Sequence, residues 1–210
     1  MVADKAQSWA YTEEFLAEDE HISEARGRAE EFGISSVSPG TGAALRLIAA
    51  TLDAHAVAEA GTGTGVSGLW LLEGMRADGV LTTIDVEVEH QQAAKEAFTA
   101  AGIKSTRTRT ISGRALEVLQ RLADGAYDMV VLDADPAEAA DYLEQGIRIL
   151  RRGGAIVVTD ALWHDRVADP ARRDEATVRM RELGKTVRAD ERLLPALLPA
   201  GEGLLVAVKR

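Results

Sequence analysis

The sequence contains no cysteine, only five prolines and few aromatic residues among its 210 positions. Without cysteine the chain cannot form disulfide bonds, thiolate metal sites or a cysteine nucleophile. No apolar run is long enough to cross a bilayer, so we expect no membrane partner. The first residues, MVADKAQSWAYTEEF, lack the apolar core of a signal peptide, which leads us to expect a cytoplasmic protein.

Basic residues are also in deficit, because 24 lysines and arginines face 34 aspartates and glutamates, giving a formal net charge of -10. A negative field opposes binding to nucleic acid, whose phosphates are held mainly by lysine and arginine. The short basic stretches Arg107-Thr108-Arg109 and Arg151-Arg152 are typical of solvated surface. We therefore expect a small-molecule partner rather than a nucleic acid.

Short apolar segments alternate with amphipathic ones along most of the chain, which predicts parallel strands covered by helices on both faces. The last two strands are joined by the turn Pro-Ala-Gly-Glu-Gly and must be antiparallel neighbours. The fold class is thus α/β: a doubly wound, mostly parallel seven-stranded sheet with a C-terminal antiparallel hairpin and extra N-terminal helices. Alternatively, Pro195 and Pro199 mark a loop in place of the first hairpin strand. The predicted strands are 56–60, 80–85, 106–112, 127–132, 155–159, 192–198 and 204–209, and the predicted helices are 8–32, 39–52, 67–76, 89–101, 115–123, 139–150 and 170–183.

A glycine-rich turn, Gly61-Thr62-Gly63-Thr64-Gly65, follows the first predicted strand and precedes a helix. Glycines at alternate positions let the backbone turn sharply and let a ligand approach it closely. The spacing departs from the Gly-x-Gly-x-x-Gly of dinucleotide sites, because position 66 is Val. Glu59 precedes the turn, and a carboxylate there suits a cationic amino group better than a pyrophosphate. The pattern favours S-adenosylmethionine (SAM) over NAD, although a tight strand–helix connection without any ligand remains the alternative.

The other predicted strands also end in polar residues, at the sheet edge where open parallel sheets bind ligands. Asp85 lies about twenty residues beyond the glycine turn, where a carboxylate accepts the two ribose hydroxyls of a nucleoside. Its alternative role is to cap a loop. Ser112 and Gly113 follow the third strand and offer backbone N–H groups to an adenine edge, or simply begin a helix.

Three aspartates follow the fourth and fifth predicted strands, namely Asp133, Asp135 and Asp160. If they gather around one point, oxygen-only ligands suit Mg or Ca rather than Zn. Asp135 precedes Pro136, as a residue that caps a helix does, and we favour that interpretation for it. His164 is either a general base or, as is commoner for a lone loop histidine, a surface residue.

These motifs together resemble the class I SAM-dependent O-methyltransferases of the catechol and caffeoyl-CoA type, and especially their small actinobacterial members. The resemblance covers nearly the whole chain and is carried by AEAGTGTGVSGLWLL, LTTIDVEVEHQQAAKEAF, ISGRALEVL, YDMVVLDADP and GGAIVVTDALW. It implies one methyltransferase domain over 1–210, with N-terminal helices in 1–53 and a Rossmann-like core in 54–210. It also implies a homodimer.

The resemblance further implies a set of cofactor-binding residues. Glu59 would hold the methionine amino end, Ser67 the carboxylate end and Asp85 the ribose hydroxyls. Asp133 would lie where methionine, metal and substrate converge, and it and Asp160 are the candidate catalytic and metal-binding residues. The full set implied for the cofactor is Val37, Glu59, Gly61, Thr62, Gly63, Ser67, Asp85, Val86, Arg114, Ala115 and Asp133.

Two positions depart from the family pattern. The family usually carries Asp-Ala-Asp-Lys after the fourth strand, but this chain has Pro136 in place of the lysine that is thought to act as a base. It usually carries Asp-Asn after the fifth strand, but this chain has Asp160-Ala161, so an amide ligand is lost. We therefore expect divalent metal (Mg or Ca) at Asp133 and Asp160 to bind weakly or not at all.

The sequence thus predicts a SAM-dependent methyltransferase that acts on a hydroxyl oxygen of a small molecule. Two alternatives stay open at this point. One is a non-catalytic protein that binds SAM or S-adenosylhomocysteine (SAH), because the catalytic half of the site is altered. The other is an NAD-dependent oxidoreductase, but this chain has neither the glycine spacing nor the Tyr-x-x-x-Lys pair of that class.

Overall fold

The computed structural model of the protein describes residues 5–133 and 136–210. Its helices and strands alternate from the first strand to the final hairpin, as the hydrophobic pattern predicts. The helices are α1 (Lys5–Glu13), α2 (Glu20–Phe32), α3 (Pro39–Thr51), α4 (Val66–Gly74), α5 (Val88–Ala100), α6 (Ala115–Leu119), α7 (Ala139–Ile149) and α8 (Glu175–Ala189). The strands are β1 (Ala56–Ala60), β2 (Val80–Asp85), β3 (Thr108–Ser112), β4 (Tyr127–Leu132), β5 (Leu150–Val158), β6 (Leu193–Leu198) and β7 (Leu204–Lys209).

These strands form one seven-stranded sheet in the order β3-β2-β1-β4-β5-β7-β6. The five strands from β3 to β5 are parallel, whereas β7 runs antiparallel to both β5 and β6. The predicted fold class, with its C-terminal hairpin, is confirmed. Pro195 lies within β6, at the edge of the sheet, where the missing N–H of a proline interrupts no interior ladder.

Two buried hydrophobic clusters cover the two faces of the sheet. Ala58 and Ala60 of β1 face one cluster, which includes residues of α6, α7 and α8. Val57 faces the other, which includes residues of α2 to α5. Because side chains alternate along a strand, Glu59 shares the face of Val57 and is directed into the protein. Trp70 and Leu71 of α4 are buried there as part of this core.

The N-terminal helical prediction, a single helix over 8–32, is wrong, because the structure breaks it between α1 and α2. The acidic side chains around the break bind other groups. Asp19 caps α2 by accepting a hydrogen bond from the Ile22 N–H at 2.8 Å. Glu13 accepts hydrogen bonds from the N–H groups of Gly40 and Gly201. Helical periodicity does not reveal this break, since charged residues populate helices and loops alike.

Other boundaries shift by smaller amounts. The last helix begins at Glu175 rather than near 170, because Asp174 caps it by accepting a hydrogen bond from the Thr177 N–H. The third strand begins at Thr108, after a turn of 3-10 helix over Ser105–Arg107. No helix in the described part of the chain combines the length and apolarity that a membrane crossing requires.

Candidate active site

A cavity of about 490 Å³ lies at the carboxyl ends of the central strands. Its volume is typical of small-molecule sites. It lies where the strand order reverses between β1 and β4, the position at which open α/β sheets bind ligands. The residues of the predicted cofactor set that line it are Val37, Gly61, Thr62, Gly63, Ser67, Asp85, Val86, Arg114, Ala115 and Asp133.

The glycine turn forms the floor of this cavity and is locked to the neighbouring strand ends. The N–H of Gly61 donates to the carbonyl of Ile84, and the N–H of Asp133 donates to the carbonyl of Ala60. Gly61 has a φ of 101°, and a Cβ there would lie 2.3 Å from the carbonyl oxygen of Asp133. Only glycine fits this close approach of two backbones, which places the turn directly beside Asp133.

Asp85 joins the end of β2 to the glycine turn. Its Oδ2 accepts hydrogen bonds from the N–H groups of Thr62 and Gly63 at 3.1 and 2.9 Å. Its Oδ1 accepts one from the N–H of Glu87 at 2.9 Å and lies 3.5 Å from His90 Nδ1. These contacts fix the carboxylate at the cavity wall. The loop-capping role and the ligand-binding role are compatible here, because each carboxylate oxygen accepts more than one hydrogen bond.

Glu59 is the member of the predicted set that lies behind the cavity wall, where it is fully buried. Burial raises the pKa of this carboxyl to about 7; the hydroxyls of Ser67 and Thr83 partly offset the rise, and the carboxylates of Asp133 and Asp85 add to it. Its Oε1 has no hydrogen-bond partner in the described part of the chain. A buried carboxylate with an unsatisfied oxygen fits a cationic group bound beside it.

A chain of buried side chains links Glu59 to the glycine turn. Gln91 of α5 donates through Nε2 to the Thr62 hydroxyl at 3.2 Å, and that hydroxyl lies 2.7 Å from the hydroxyl of Thr83. Thr83 in turn donates to Glu59 Oε2 at 2.7 Å. Because the only hydroxyl proton of Thr83 goes to Glu59, Thr62 must supply the proton between the two hydroxyls. The chain therefore orients Glu59 from the turn that lines the cavity.

Asp133 lines the cavity, whereas Asp160 lies outside the lining but close enough to repel Asp133. Burial raises the pKa of Asp133 to about 6; repulsion from Asp160 and Asp85 adds to the rise, and a hydrogen bond from the Thr159 hydroxyl opposes it. Burial also raises the pKa of Asp160. Repulsion from Glu202 adds to this rise, and the interaction with His164 opposes it. The two carboxylates thus repel one another near the cavity, and each holds a proton more readily than an exposed aspartate does.

The described residues do not assemble a complete metal site. Within residues 5–133 and 136–210, no three His, Cys, Asp or Glu side chains are grouped so that they could hold a metal ion. Pro136 and Ala161 present no ligand atom in their side chains. Asp135, considered above with the other two aspartates, lies outside the described residues. His164 is more than half exposed and pairs with Glu202 at 3.6 Å, as the surface interpretation predicts.

The wall beyond Ala115 contains two residues that the sequence patterns did not single out, Glu138 and Tyr142. The Arg114 guanidinium and the Tyr142 hydroxyl both donate to the carboxylate of Glu138. This cluster bridges the start of α6 and the start of α7 across one side of the cavity. Glu138 and Tyr142 lie four residues apart on one helical face, but that spacing alone does not distinguish a cavity wall from a solvated face.

Comparison with known proteins identifies the family to which this chain belongs. A sequence model of the O-methyltransferase family matches residues 8–210. A Mycobacterium ulcerans protein named as an O-methyltransferase is 54% identical over 200 residues, covering 95% of this chain and 89% of that protein. A Corynebacterium glutamicum structure aligns with a TM-score of 0.90 at 34% identity, covering 97% of this chain and 96% of that one. The O-methyltransferase TomG from Streptomyces achromogenes, solved in complex with SAM, shares the fold with a TM-score of 0.86 at 24% identity, covering 98% and 99%. The chain therefore belongs to the O-methyltransferase family.

Proposed function

We propose that this member of the O-methyltransferase family transfers a methyl group from SAM to a hydroxyl oxygen of a small molecule. The observation that carries the proposal is the pair of buried carboxyls, Glu59 and Asp133, beside the glycine turn, with pKa values raised to about 7 and 6. A bound cation stabilises both in their charged forms. Membership of the family favours an enzyme over a non-catalytic SAM or SAH binder and over an NAD-dependent oxidoreductase.

The proposed cofactor contacts follow the lining of the cavity. Asp133 faces the positively charged amino end of the methionine moiety, and Ser67, near the start of α4, faces its carboxylate. Glu59, which lies behind the wall rather than in the lining, attracts the amino end through its buried carboxylate. Asp85 accepts the ribose hydroxyls. The backbone of Gly61, Thr62 and Gly63 lies beneath the ligand and Val37 covers it, while Val86, Arg114 and Ala115 surround the adenine.

Catalysis in this proposal rests on placing the acceptor hydroxyl in line with the methyl group. As the oxygen–carbon bond forms and the carbon–sulfur bond breaks, the hydroxyl proton passes to a carboxylate. Asp133 and Asp160 are the candidates. The raised pKa of Asp160 makes it a stronger base than an ordinary aspartate, whereas Asp133 would act from the ionised form that the bound cation stabilises. No step is assigned to a metal in this proposal, because Pro136 and Ala161 replace the lysine and the amide ligand that the family usually carries at these positions.

We expect labelled methyl transfer from SAM to phenols or catechols, and we expect the rate to persist in the presence of a chelator. The measurement is turnover against a panel of both acceptor classes, with Mg and with chelator. A rate that the chelator abolishes would overturn the metal-independent mechanism. Titration with NAD and with SAH is the control for the cofactor, and binding of NAD without binding of SAH would contradict the proposal itself.

Replacing Asp85 by alanine should weaken SAH binding by about 1–3 kcal/mol, because ribose hydroxyls and the N–H groups of Thr62 and Gly63 lose their acceptor. Calorimetric titration measures the change. The matched control is Glu89→Ala, which removes a carboxylate from the exposed first turn of α5. Equal affinities for the two variants would remove Asp85 from the binding site.

We also propose a homodimer in the cytoplasm. Strand β6 supports the dimer, because it forms an open sheet edge on which Leu194, Leu197 and Leu198 are exposed. Sedimentation that returns the 22.4 kDa mass of one chain would contradict it. The cytoplasmic location depends on sequence composition alone, and cell fractionation would test it.

A further inference from the structure

An irregular segment, Ile34–Val37, covers one side of the cavity between α2 and α3. Its ends are anchored, because the N–H of Ile34 donates to the carbonyl of Ala29 and the Ser38 hydroxyl caps α3 by accepting a hydrogen bond from the Thr41 N–H. Between these ends, Ser35, Ser36 and Val37 take part in no backbone–backbone hydrogen bond in the described part of the chain. Side-chain contacts must therefore hold the middle of this covering segment in place.

Arg26 of α2 makes these contacts from outside the cavity. Its Nη1 donates to the Ser36 hydroxyl at 2.8 Å, and its Nη2 donates to the carbonyl oxygen of Val37 at 2.7 Å. Its remaining contacts go to Glu18, which accepts from Nε at 2.8 Å and also from Nη2. One guanidinium thus binds both the covering segment and a carboxylate, in the fork geometry that only arginine provides.

The ion pair is shielded from water, since the side chains of Arg26 and Glu18 are only 22% and 9% exposed. Trp70 of α4 also donates from Nε1 to Glu18, at 3.4 Å. Beside Arg26, the buried hydroxyl of Thr64 in the glycine turn donates to the carbonyl of Ala25 at 2.7 Å. Helix α2 is therefore bound both to the floor of the cavity and to its cover.

We propose that Arg26, held by Glu18, is a positioning residue for the methyl donor: it fixes Ser36 and Val37 over the cavity and so slows the departure of bound cofactor. This inference rests on the proposed function, because it assumes that SAM occupies the cavity. Neither Arg26 nor Glu18 lines the cavity. Their effect on the ligand must therefore pass through the covering segment.

The test is the rate of SAH dissociation from Arg26→Lys, measured by surface plasmon resonance. Lysine keeps the charge but cannot reach Glu18, Ser36 and the Val37 carbonyl together, so we expect the dissociation rate to rise about tenfold with little change in the association rate. Arg28→Lys is the matched control. Arg28 lies on the same helix and forms an exposed ion pair with Glu31. Its replacement by lysine should leave both rates unchanged.

Glu18→Gln is the second variant, because it weakens the hold on Arg26 without touching the covering segment, and it should accelerate dissociation in the same direction. If both variants lower the melting temperature but dissociate SAH at the wild-type rate, Arg26 is merely structural and the inference is overturned. If the wild-type protein itself does not bind SAH, the proposed function fails instead. The two failures are therefore distinguishable.

Discussion

Replacing Gly61 by alanine should abolish SAH binding and lower the free energy of unfolding by at least about 3 kcal/mol. The added Cβ would lie 2.3 Å from the carbonyl oxygen of Asp133, and no flexible side chain can move aside because that atom belongs to the backbone. The φ of 101° adds strain for any residue with a Cβ. To relieve the clash, β1 and β4 must separate at the point where the cavity floor meets Asp133.

Gly63, two residues further along the same turn, provides the matched control. Its φ is 49°, within the left-handed region that alanine enters at a cost of about 1 kcal/mol, and the nearest atom to an added Cβ is Ile34 Cγ2 at 4.0 Å. Gly63→Ala should therefore unfold near the wild-type midpoint. Urea denaturation of the two variants gives the comparison. Equal losses of unfolding free energy in both would show that backbone strain, rather than the contact with Asp133, determines the effect on stability.

The fold was predictable because burial on both sheet faces leaves an unambiguous pattern. The apolar runs 129–132 in β4 and 155–158 in β5 are continuous, and only Glu59 interrupts β1, so the pattern identifies all three as interior parallel strands. The break between α1 and α2 was not predictable, since it depends on Glu13 reaching Gly40 and Gly201, which lie far away in sequence. Long-range contacts of this kind have no local signature.

In the candidate site, too, some residues were predictable from the sequence and others were not. The polar residues at strand ends were predictable, because parallel strands bring their carboxyl ends to one edge whatever the details of packing. The residues behind them were not. Thr83 reaches Glu59 only through the register of β2 against β1, and Gln91 reaches Thr62 only through the packing of α5. Arg26 was missed for a similar reason, since nothing in the spacing of a charged helical residue tells whether it faces solvent or a loop ten residues away.

SAH binding should strengthen steeply as the pH rises from 5.5 to 7.5. The ammonium group of the ligand prefers ionised Glu59 and Asp133, but these carboxyls have pKa values of about 7 and 6 in the free protein, against about 4 when exposed. At pH 5.5 the free protein must lose both protons before it binds well, and at pH 7.5 it has largely lost them. If these two values describe the successive proton losses of the pair, the affinity gain is roughly a hundredfold.

The stability of the free protein should change in the opposite direction. Because folding raises both pKa values, the folded state binds more protons than the unfolded state between about pH 4 and pH 7. The stabilisation linked to these protons is complete below pH 4 and is lost as the pH rises through 6 and 7. Bound SAH restores it by supplying a positive charge. The thermal shift that SAH produces should therefore be larger at pH 7.5 than at pH 5.5.

Calorimetry in two buffers of different ionisation enthalpy measures the proton release directly, and at pH 6.5 it should be about one proton per SAH bound. In Glu59→Gln the release should fall to the smaller share contributed by Asp133, because the amide does not titrate. Asp78→Asn, which alters an exposed carboxylate in the turn before β2, should leave the release unchanged. An affinity independent of pH, with no proton release, would mean that the amino group of the ligand does not lie beside Glu59 and Asp133.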